Sequence, residues 1–165
     1  MLFPSPVTSQ PYAIESQWID YNGHFNMAYY NVLFDRDSDV ALALVGLGPD
    51  YIKRTGNSYF TLEAHVSYLR ELGAADLVTI TTQILDYDAK RLHYLQQMHH
   101  ADENWIACVN EIIVMHVDMT TKKSSPFPEE ILIKVKAMYE SHKTLPIPKQ
   151  VGHKIGIPRK TQKPS

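Results

Sequence analysis

The longest uninterrupted helical pattern in the chain is NMAYYNVLFDRDSDVALALV, residues 26–45. It contains neither proline nor glycine, and its apolar side chains recur at the spacing of one helix face. That face carries Tyr30, Leu33, Phe34, Ala41 and Leu44. Gly46, Gly48 and Pro49 then supply a stop signal, so the pattern predicts one helix of roughly five turns. Asp37 interrupts the apolar stripe, and we expect that part of the face to meet something other than plain core.

Strand signals lie on both sides of this helix. A moderate signal precedes it at residues 12–20, and four longer runs follow at residues 58–69, 77–86, 91–100 and 105–118. Polar segments of hairpin length join the last three runs. The sequence therefore predicts three long strands in an antiparallel meander, with a further strand at 58–69.

The run at residues 58–69 alternates between two faces. One face carries Phe60, Leu62, Ala64, Val66 and Tyr68. The other face carries Tyr59, Thr61, Glu63, His65 and Ser67. The alternation predicts a strand with one apolar face and one mixed, largely polar face.

A second, shorter helix is expected near the C-terminus, where Pro126 and Pro128 precede a helical pattern. One side of it carries Ile131, Val135, Met138, Tyr139 and His142. The order of elements is strand, long helix, four strands and terminal helix. This order predicts an α+β fold in which the sheet buries its apolar face against the long helix.

The chain has 165 residues, of which 44% are apolar and 21% charged, as expected for one ordinary globular domain. Its net charge of −2 is the sum of two unlike parts. Residues 1–142 hold 10 Lys and Arg against 18 Asp and Glu, a net charge of −8, whereas residues 143–165 hold six Lys and Arg and no acid. We therefore expect one domain at 1–142 and a basic, proline-containing tail at 143–165.

The sequence carries no pattern that indicates export, membrane insertion or a metal site. The N-terminal MLFPSPVTSQ has neither a charged n-region nor a long apolar run, so we expect a cytoplasmic protein without a membrane partner. The single cysteine, Cys108, lies in an apolar stretch and is expected to be buried. His93, His99 and His100 have no cysteine or clear carboxylate partner in the pattern, so we expect no metal.

Cofactor and nucleic-acid motifs are also missing. The chain has no GxGxxG, Walker, GxSxG or HExxH pattern, which argues against a nucleotide cofactor, a serine hydrolase and a zinc peptidase. The basic tail lacks interleaved aromatic residues and the body is acidic, so no nucleic-acid partner is expected. We expect no cofactor.

The densest chemistry lies in WIDYNGHFN, residues 18–26. A carboxylate, two amides and an imidazole occupy every second position across a turn that leads into the long helix. They are Asp20, Asn22, His24 and Asn26. The start of a helix offers free N–H groups and a positive dipole end, which can hold an oxyanion. A carboxylate beside it can act as a nucleophile or as a general base toward water.

A structural role explains the same residues from spacing alone. Asn26 or Asn22 is then the N-cap of the helix, and Gly23 provides a positive φ. Asp20 and His24 then satisfy each other at the surface. Spacing leaves both interpretations open.

Four motifs resemble those of a known family: WIDYNGHFNMAYY from residue 18, SYFTLEAHVSYLREL from residue 58, TITTQILDYDAKRLHYLQQMHHAD from residue 79, and HVD at 116–118. They resemble the hotdog-fold acyl-CoA thioesterases of the 4-hydroxybenzoyl-CoA thioesterase-like superfamily, over roughly residues 10–142. Within that superfamily, the sequence is most similar to betainyl-CoA thioesterases and to the thioesterase domain fused to carnitine dehydrogenases.

The resemblance implies a fold, an assembly and a site. The fold is an antiparallel β-sheet wrapped around one long central helix, with a short C-terminal helix. The assembly is a homodimer or dimer-based tetramer with active sites between subunits. Asp20 matches the catalytic carboxylate, and Asn22 and His24 match the residues that accompany it. The N–H groups near Gly23 and His24 are the implied oxyanion donors, and Asn26 matches a position at the start of the helix.

The implied activity is hydrolysis of a small acyl-CoA thioester, betainyl-CoA or carnitinyl-CoA, to the free acid and CoA. Two alternatives remain open: an acyl-CoA hydratase or dehydratase of the same fold, and a noncatalytic acyl-CoA-binding dimer. Glu63 is a second catalytic candidate because it matches a glutamate of the similar sequences, although a solvated strand face explains it equally well. A quaternary ammonium group is held by aromatic faces and a carboxylate, which favours Trp18, Tyr59 and Glu63 as substrate-binding residues.

Overall fold

The computed structural model describes residues 2–157. Within this range the helices are α1 (Met27–Ala43), α2 (Pro49–Thr55) and α3 (Glu129–His142), and a 3-10 turn spans Ser16–Trp18. The strands are β1 (Val7–Thr8), β2 (Tyr12–Ala13), β3 (Asn57–Tyr68), β4 (Leu77–Tyr87), β5 (Arg91–His100), β6 (Ile106–Asp118) and β7 (Lys123–Ser124). An antiparallel sheet, one long helix and a C-terminal helix confirm the expected α+β fold.

Helix α1 begins where the sequence predicts and ends two residues before the predicted end. Asn26 is its N-cap, because the Asn26 side-chain oxygen accepts the Ala28 N–H at 3.0 Å. Leu33, Phe34 and Leu42 are almost completely buried and pack with residues of the sheet. The central helix therefore covers the apolar face of the sheet, as expected.

Asp37 lies on the buried face of α1, where the stripe is interrupted. Its side chain is 2% exposed and accepts hydrogen bonds from Thr82 Oγ1 at 2.8 Å and Gln96 Nε2 at 3.2 Å. Burial raises the pKa of Asp37 to about 6, more than the two hydrogen bonds lower it. The expectation that this part of the face meets more than apolar core is confirmed.

The sheet has the strand order β1-β4-β5-β6-β3, with β2 also on β4 and β7 also on β6. All pairings are antiparallel, and β4, β5 and β6 form the predicted meander. Strand β3 pairs with β6 on one side only, so within residues 2–157 its other edge is open. Along this edge the twelve residues of β3 have no second strand partner within residues 2–157, and six of them are exposed.

The predicted strand at residues 12–20 is mostly wrong. Only Tyr12–Ala13 pairs with β4, and the chain then enters the 3-10 turn. This turn carries Trp18 into the core against Phe25, which draws the segment away from the sheet. After β2, the segment makes one isolated antiparallel bridge, between Ile19 and Phe25.

The predicted faces of β3 are correct only on each side of a bulge. The register passes from Thr61 opposite Val114 to Glu63 opposite Ile113, so the strand holds one extra residue. One extra residue reverses the alternation of side chains along the rest of the strand. Tyr59 and Thr61 therefore line one cavity with Ala64, and Glu63 lies on the opposite face. The prediction that Tyr59, Thr61 and Glu63 share a face is wrong.

The C-terminal segment folds back onto the sheet. Helix α3 has the predicted buried side and ends at His142. Beyond it, the Gly152 N–H donates to Glu111 Oε2 at 2.7 Å, on the face of the sheet opposite α1. Part of the predicted basic tail lies outside the described residues, with Arg159, Lys160 and Lys163. No helix within residues 2–157 has the length and apolar character needed to cross a membrane.

Candidate active site

Residues 20–24 form a tight loop between the 3-10 turn and α1. The Asp20 N–H donates to His24 O at 2.9 Å, and the Gly23 N–H donates to Asp20 O at 3.0 Å. Gly23 has φ of +80°, in the left-handed region that residues with a Cβ rarely adopt. The expected positive φ at this glycine is confirmed, and it lets the loop turn back toward the start of α1.

The loop holds the carboxylate of Asp20 by one oxygen. Asp20 Oδ1 accepts the Asn22 N–H at 2.8 Å and the His24 N–H at 3.3 Å. The second oxygen, Oδ2, has no donor among residues 2–157. The carboxylate is thus fixed in orientation while one oxygen stays available to a ligand or a water molecule.

The imidazole of His24 turns away from Asp20. Its Nε2 lies 3.2 Å from Glu71 Oε2, and the His24 side chain is 47% exposed. The suggestion that the Asp20 and His24 side chains satisfy each other is therefore wrong: Asp20 binds the backbone of His24, and Glu71 binds its ring. Such an ion pair between exposed groups orients a side chain more than it stabilises the fold.

The N–H groups at the start of α1 differ in availability. Those of Gly23 and His24 are donated to Asp20, and that of Ala28 is donated to the Asn26 cap. The Met27 N–H, at the first position of the helix, donates to no acceptor within residues 2–157. It lies at the positive end of the helix dipole and is a ready donor to an oxyanion.

These groups surround a cavity of about 580 Å³, which we call the Asp20 cavity. It is lined by Asp20, Tyr21, His24, Phe25, Asn26, Met27, Tyr30, Tyr68, Leu69, Arg70 and Glu71. Asp20, His24 and Asn26 of the expected site are thereby brought together. The chain thus brings the carboxylate of Asp20, the imidazole of His24, the first helical residue Met27 and several aromatic residues to one opening.

Aromatic rings form one wall of the Asp20 cavity. Tyr68, at the end of β3, donates its hydroxyl to Met27 O at 3.0 Å and is therefore tied to the first turn of α1. Its ring meets that of Tyr30 edge to face, with centroids 5.1 Å apart. Tyr21 lies in the loop beside Asp20 and is 97% exposed.

Trp18 lies beneath the loop, away from this cavity. It is 5% exposed, stacks on Tyr29 with centroids 5.6 Å apart, and has the Arg36 guanidinium 5.2 Å from its ring centroid. Both contacts fix it in the core that supports the loop. In a single chain, the structure does not bring Trp18 into the Asp20 cavity.

Tyr59 and Glu63 line two other cavities. Tyr59 lines a space of about 370 Å³ between α1 and β3 and donates its hydroxyl to Asp39 Oδ1 at 2.9 Å. Burial and this carboxylate both raise the pKa of Tyr59. Glu63 lines a space of about 340 Å³ on the opposite face of the sheet, beside His65 and Glu111. Within one protomer, neither residue joins Asp20.

The strand itself sets the separation between these residues. A β-strand rises about 3.3 Å per residue, so Glu63 lies about 16 Å and Tyr59 about 30 Å from Tyr68 along β3. The cavity around Glu63 also contains His93, whose Nε2 lies 2.8 Å from Glu111 Oε1. Among the described residues, no three histidine, cysteine or acidic side chains are grouped so that they could hold a metal ion.

Sequence reasoning missed Glu71 and Tyr68 as members of the site. Glu71 follows β3 and lies 47 positions after His24, and no periodicity links the two. The alternation of residues 58–69 predicts Tyr68 on the apolar face of its strand, where an aromatic residue is ordinary core. The one signal in the sequence that could have found Glu71 is its place as a carboxylate just beyond the end of a predicted strand.

Comparison with known proteins points to one family. The model of the thioesterase-like superfamily matches residues 14–135. A betainyl-CoA thioesterase from Pseudomonas aeruginosa is 36% identical over 142 residues, which cover 86% of this chain and 89% of that protein. An L-carnitine dehydrogenase/betainyl-CoA thioesterase from Rhizobium meliloti is 34% identical over 146 residues, covering 88% of this chain and 29% of that larger protein.

A solved structure agrees over almost the whole chain. A protein from Staphylococcus aureus, determined in complex with CoA, superposes with a TM-score of 0.86 at 32% identity. The match covers 96% of this chain and all of that one. The expected hotdog fold is thus confirmed by sequence and by structure.

Proposed function

As a member of the thioesterase-like superfamily this chain is an acyl-CoA thioester hydrolase, and we propose that it acts on betainyl-CoA or carnitinyl-CoA through Asp20. The products are the free acid and CoA. The observation that carries the proposal is the Asp20 carboxylate beside the start of a helix: two N–H groups bind its Oδ1, and no group within residues 2–157 donates to Oδ2. The small acyl group is supported by the similarity to betainyl-CoA thioesterases.

Two routes lead from this carboxylate to the products. As a general base, Asp20 takes a proton from water while the water oxygen attacks the carbonyl carbon; as a nucleophile, it attacks the carbon itself, and water then hydrolyses the anhydride. In both routes the C–S bond breaks and CoA leaves as a thiolate that takes up a proton. The carbonyl oxygen becomes negative and is stabilised by N–H donors at the positive end of α1.

The donors proposed for this oxyanion are the Met27 N–H and the N–H groups near Gly23 and His24. Within residues 2–157 the Met27 N–H has no acceptor, whereas the His24 N–H makes a long bond of 3.3 Å to Asp20, which a developing oxyanion can replace. Asn26 holds the first turn of α1 in place as its cap. The His24 imidazole, oriented by Glu71, is proposed to protonate the leaving thiolate or to orient the thioester.

The proposed assembly is a homodimer, or a tetramer built from it, in which two β3 edges pair. An open strand edge with exposed apolar side chains favours pairing with another strand. Phe60 and Leu62 are about half exposed on β3. Antiparallel pairing of two β3 strands runs the Tyr59 end of one along the Tyr68 end of the other. This arrangement lets Tyr59 and Glu63 serve as substrate-binding or catalytic residues across the interface, and Asn22 stays beside Asp20 in each loop.

The test is release of free thiol from a panel of acyl-CoA esters that includes betainyl, carnitinyl and 4-hydroxybenzoyl esters. We expect fast release from one of the two quaternary ammonium esters. A hydratase or dehydratase would instead convert an enoyl or hydroxyacyl ester without thiol release. A noncatalytic carrier would bind esters and release no thiol. Either of these two results would overturn the proposed function.

A further inference from the structure

We propose that Tyr68 and Tyr21, with the carboxylate of Glu71, hold the quaternary ammonium group of the acyl chain inside the Asp20 cavity. The inference rests on the proposed hydrolysis of betainyl-CoA at Asp20. It gives the cation a receptor different from the Trp18, Tyr59 and Glu63 set expected from the sequence. All three residues line the same cavity as Asp20.

The first argument comes from the length of the substrate. In a betainyl ester, one methylene separates the ammonium nitrogen from the thioester carbon, which places the two atoms about 2.5 Å apart at ordinary bond lengths and angles. If the carbon lies at Asp20, the ammonium lies in the same cavity. The rings that meet it must therefore line that cavity.

The second argument concerns the rings themselves. Cations bind the face of an aromatic ring within about 6 Å of its centroid. The hydroxyl of Tyr68 is tied to Met27 O and its ring is braced against Tyr30, so this residue is held ready to receive a cation without further ordering. Tyr21 is 97% exposed at the cavity, with its ring free to close over a bound ligand.

The third argument is the charge around the cavity. Asp20 and Glu71 contribute carboxylates, and Arg70 is the cation of the lining. The Arg70 guanidinium lies 4.0 Å from the ring centroid of Trp105 and 4.0 Å from Glu103 Oε2, two residues that do not line the cavity. The excess of negative charge favours a cationic acyl group over a neutral one of the same shape, because opposite charges attract.

The experiment compares two esters that differ in charge alone. Betainyl-CoA and 3,3-dimethylbutyryl-CoA have the same shape, since a tert-butyl group replaces trimethylammonium. The measured quantity is the ratio of kcat/KM for the two esters, by thiol release. Effects on the shared chemistry, including any effect of Glu71 through His24, cancel in this ratio.

We expect the ratio to fall about tenfold in Tyr68→Leu and about fivefold in Tyr21→Leu and Glu71→Gln, in keeping with the strength of a cation–π contact or a partly exposed charge pair. Tyr68→Phe and Tyr21→Phe keep the ring faces and should keep the ratio. Glu130→Gln removes an exposed carboxylate on α3 and serves as the matched control. Tyr21 is almost fully exposed, so its variants test the idea even if Tyr68→Leu fails to fold.

An unchanged ratio in all three variants would overturn the proposed cation-binding site but would not contradict the proposed hydrolase function. A ratio that falls in Tyr59→Leu or Glu63→Gln, and in none of the three, would overturn it in favour of a receptor on the partner strand. If the wild-type protein releases no thiol from betainyl-CoA, the proposed cation-binding site is overturned, and the proposed function is overturned as well when carnitinyl-CoA also releases none.

Discussion

Asp20 binds the backbone of His24, at 3.3 Å from Oδ1 to the amide nitrogen, and leaves the imidazole of His24 to Glu71. The two candidate catalytic side chains therefore stand four residues apart without forming a direct pair. This arrangement differs from a serine-type triad, in which the imidazole contacts the nucleophile and activates it directly. Here the imidazole contacts Glu71 instead of the carboxylate of Asp20.

The contact between His24 and Glu71 predicts energetic coupling. On an uncharged ester Glu71 acts only by orienting the imidazole, so removing it matters only while the imidazole is present. We expect His24→Ala and Glu71→Gln each to lower kcat/KM for 3,3-dimethylbutyryl-CoA, and the double variant to be no worse than His24→Ala alone. Multiplicative effects in the kinetic double-mutant cycle would show that Glu71 acts independently of His24.

The open edge of β3 predicts the effect of a charge at the proposed interface. Leu62→Lys places an ammonium group at the bulge of an edge strand, which opposes pairing with a second β3. We expect a shift from dimer to monomer, measured by sedimentation, and a parallel loss of thiol release. Ile133→Lys changes another exposed apolar residue, on α3, and is the control. A dimeric and active Leu62→Lys would exclude β3 as the interface.

Asp37 predicts a pH dependence of stability. Its pKa is raised from 3.8 to about 6 by burial, so between about pH 4 and pH 6 the folded protein keeps a proton that the unfolded chain releases. The free energy of unfolding therefore falls as pH rises through this window, by up to about 3 kcal/mol from this residue, and levels off above it.

The variant Asp37→Asn removes this dependence and keeps an acceptor for Thr82 Oγ1. We expect its stability relative to wild type to improve as pH rises from 4 to 7, as measured by urea unfolding at each pH. Parallel pH profiles for the two proteins would show that Asp37 ionises normally in the folded state.

Periodicity explains how much of the fold could be predicted. Helix α1 and the meander follow from long, regular patterns with clear turn signals, and Asn26 follows from capping chemistry. The bulge after Thr61 has no such signal, because nothing in the alternation of residues 58–69 marks Leu62 as the extra residue. One inserted residue was enough to move Glu63 to the other side of the sheet from Tyr59.

The candidate site likewise contains residues that the sequence pattern predicts and residues that it does not. Residues 20–26 are contiguous, so their meeting at one loop is a local property of the sequence. Tyr68 and Glu71 reach the loop only through the pairing of β3 with β6 and the return of the chain past α1. Trp18 shows the reverse case, since an aromatic residue next to Asp20 in sequence is buried as support beneath it.

The most direct test of the central claim is the turnover of betainyl-CoA by Asp20→Asn. Asparagine keeps an oxygen for the Asn22 and His24 N–H groups, so the loop should fold, while the side chain loses its basicity and nucleophilicity. We predict a fall in kcat of about a thousandfold, with an unchanged melting temperature. Asp50→Asn, which alters an exposed carboxylate on α2, should retain full activity. Thiol release by Asp20→Asn at close to the wild-type rate would contradict the account.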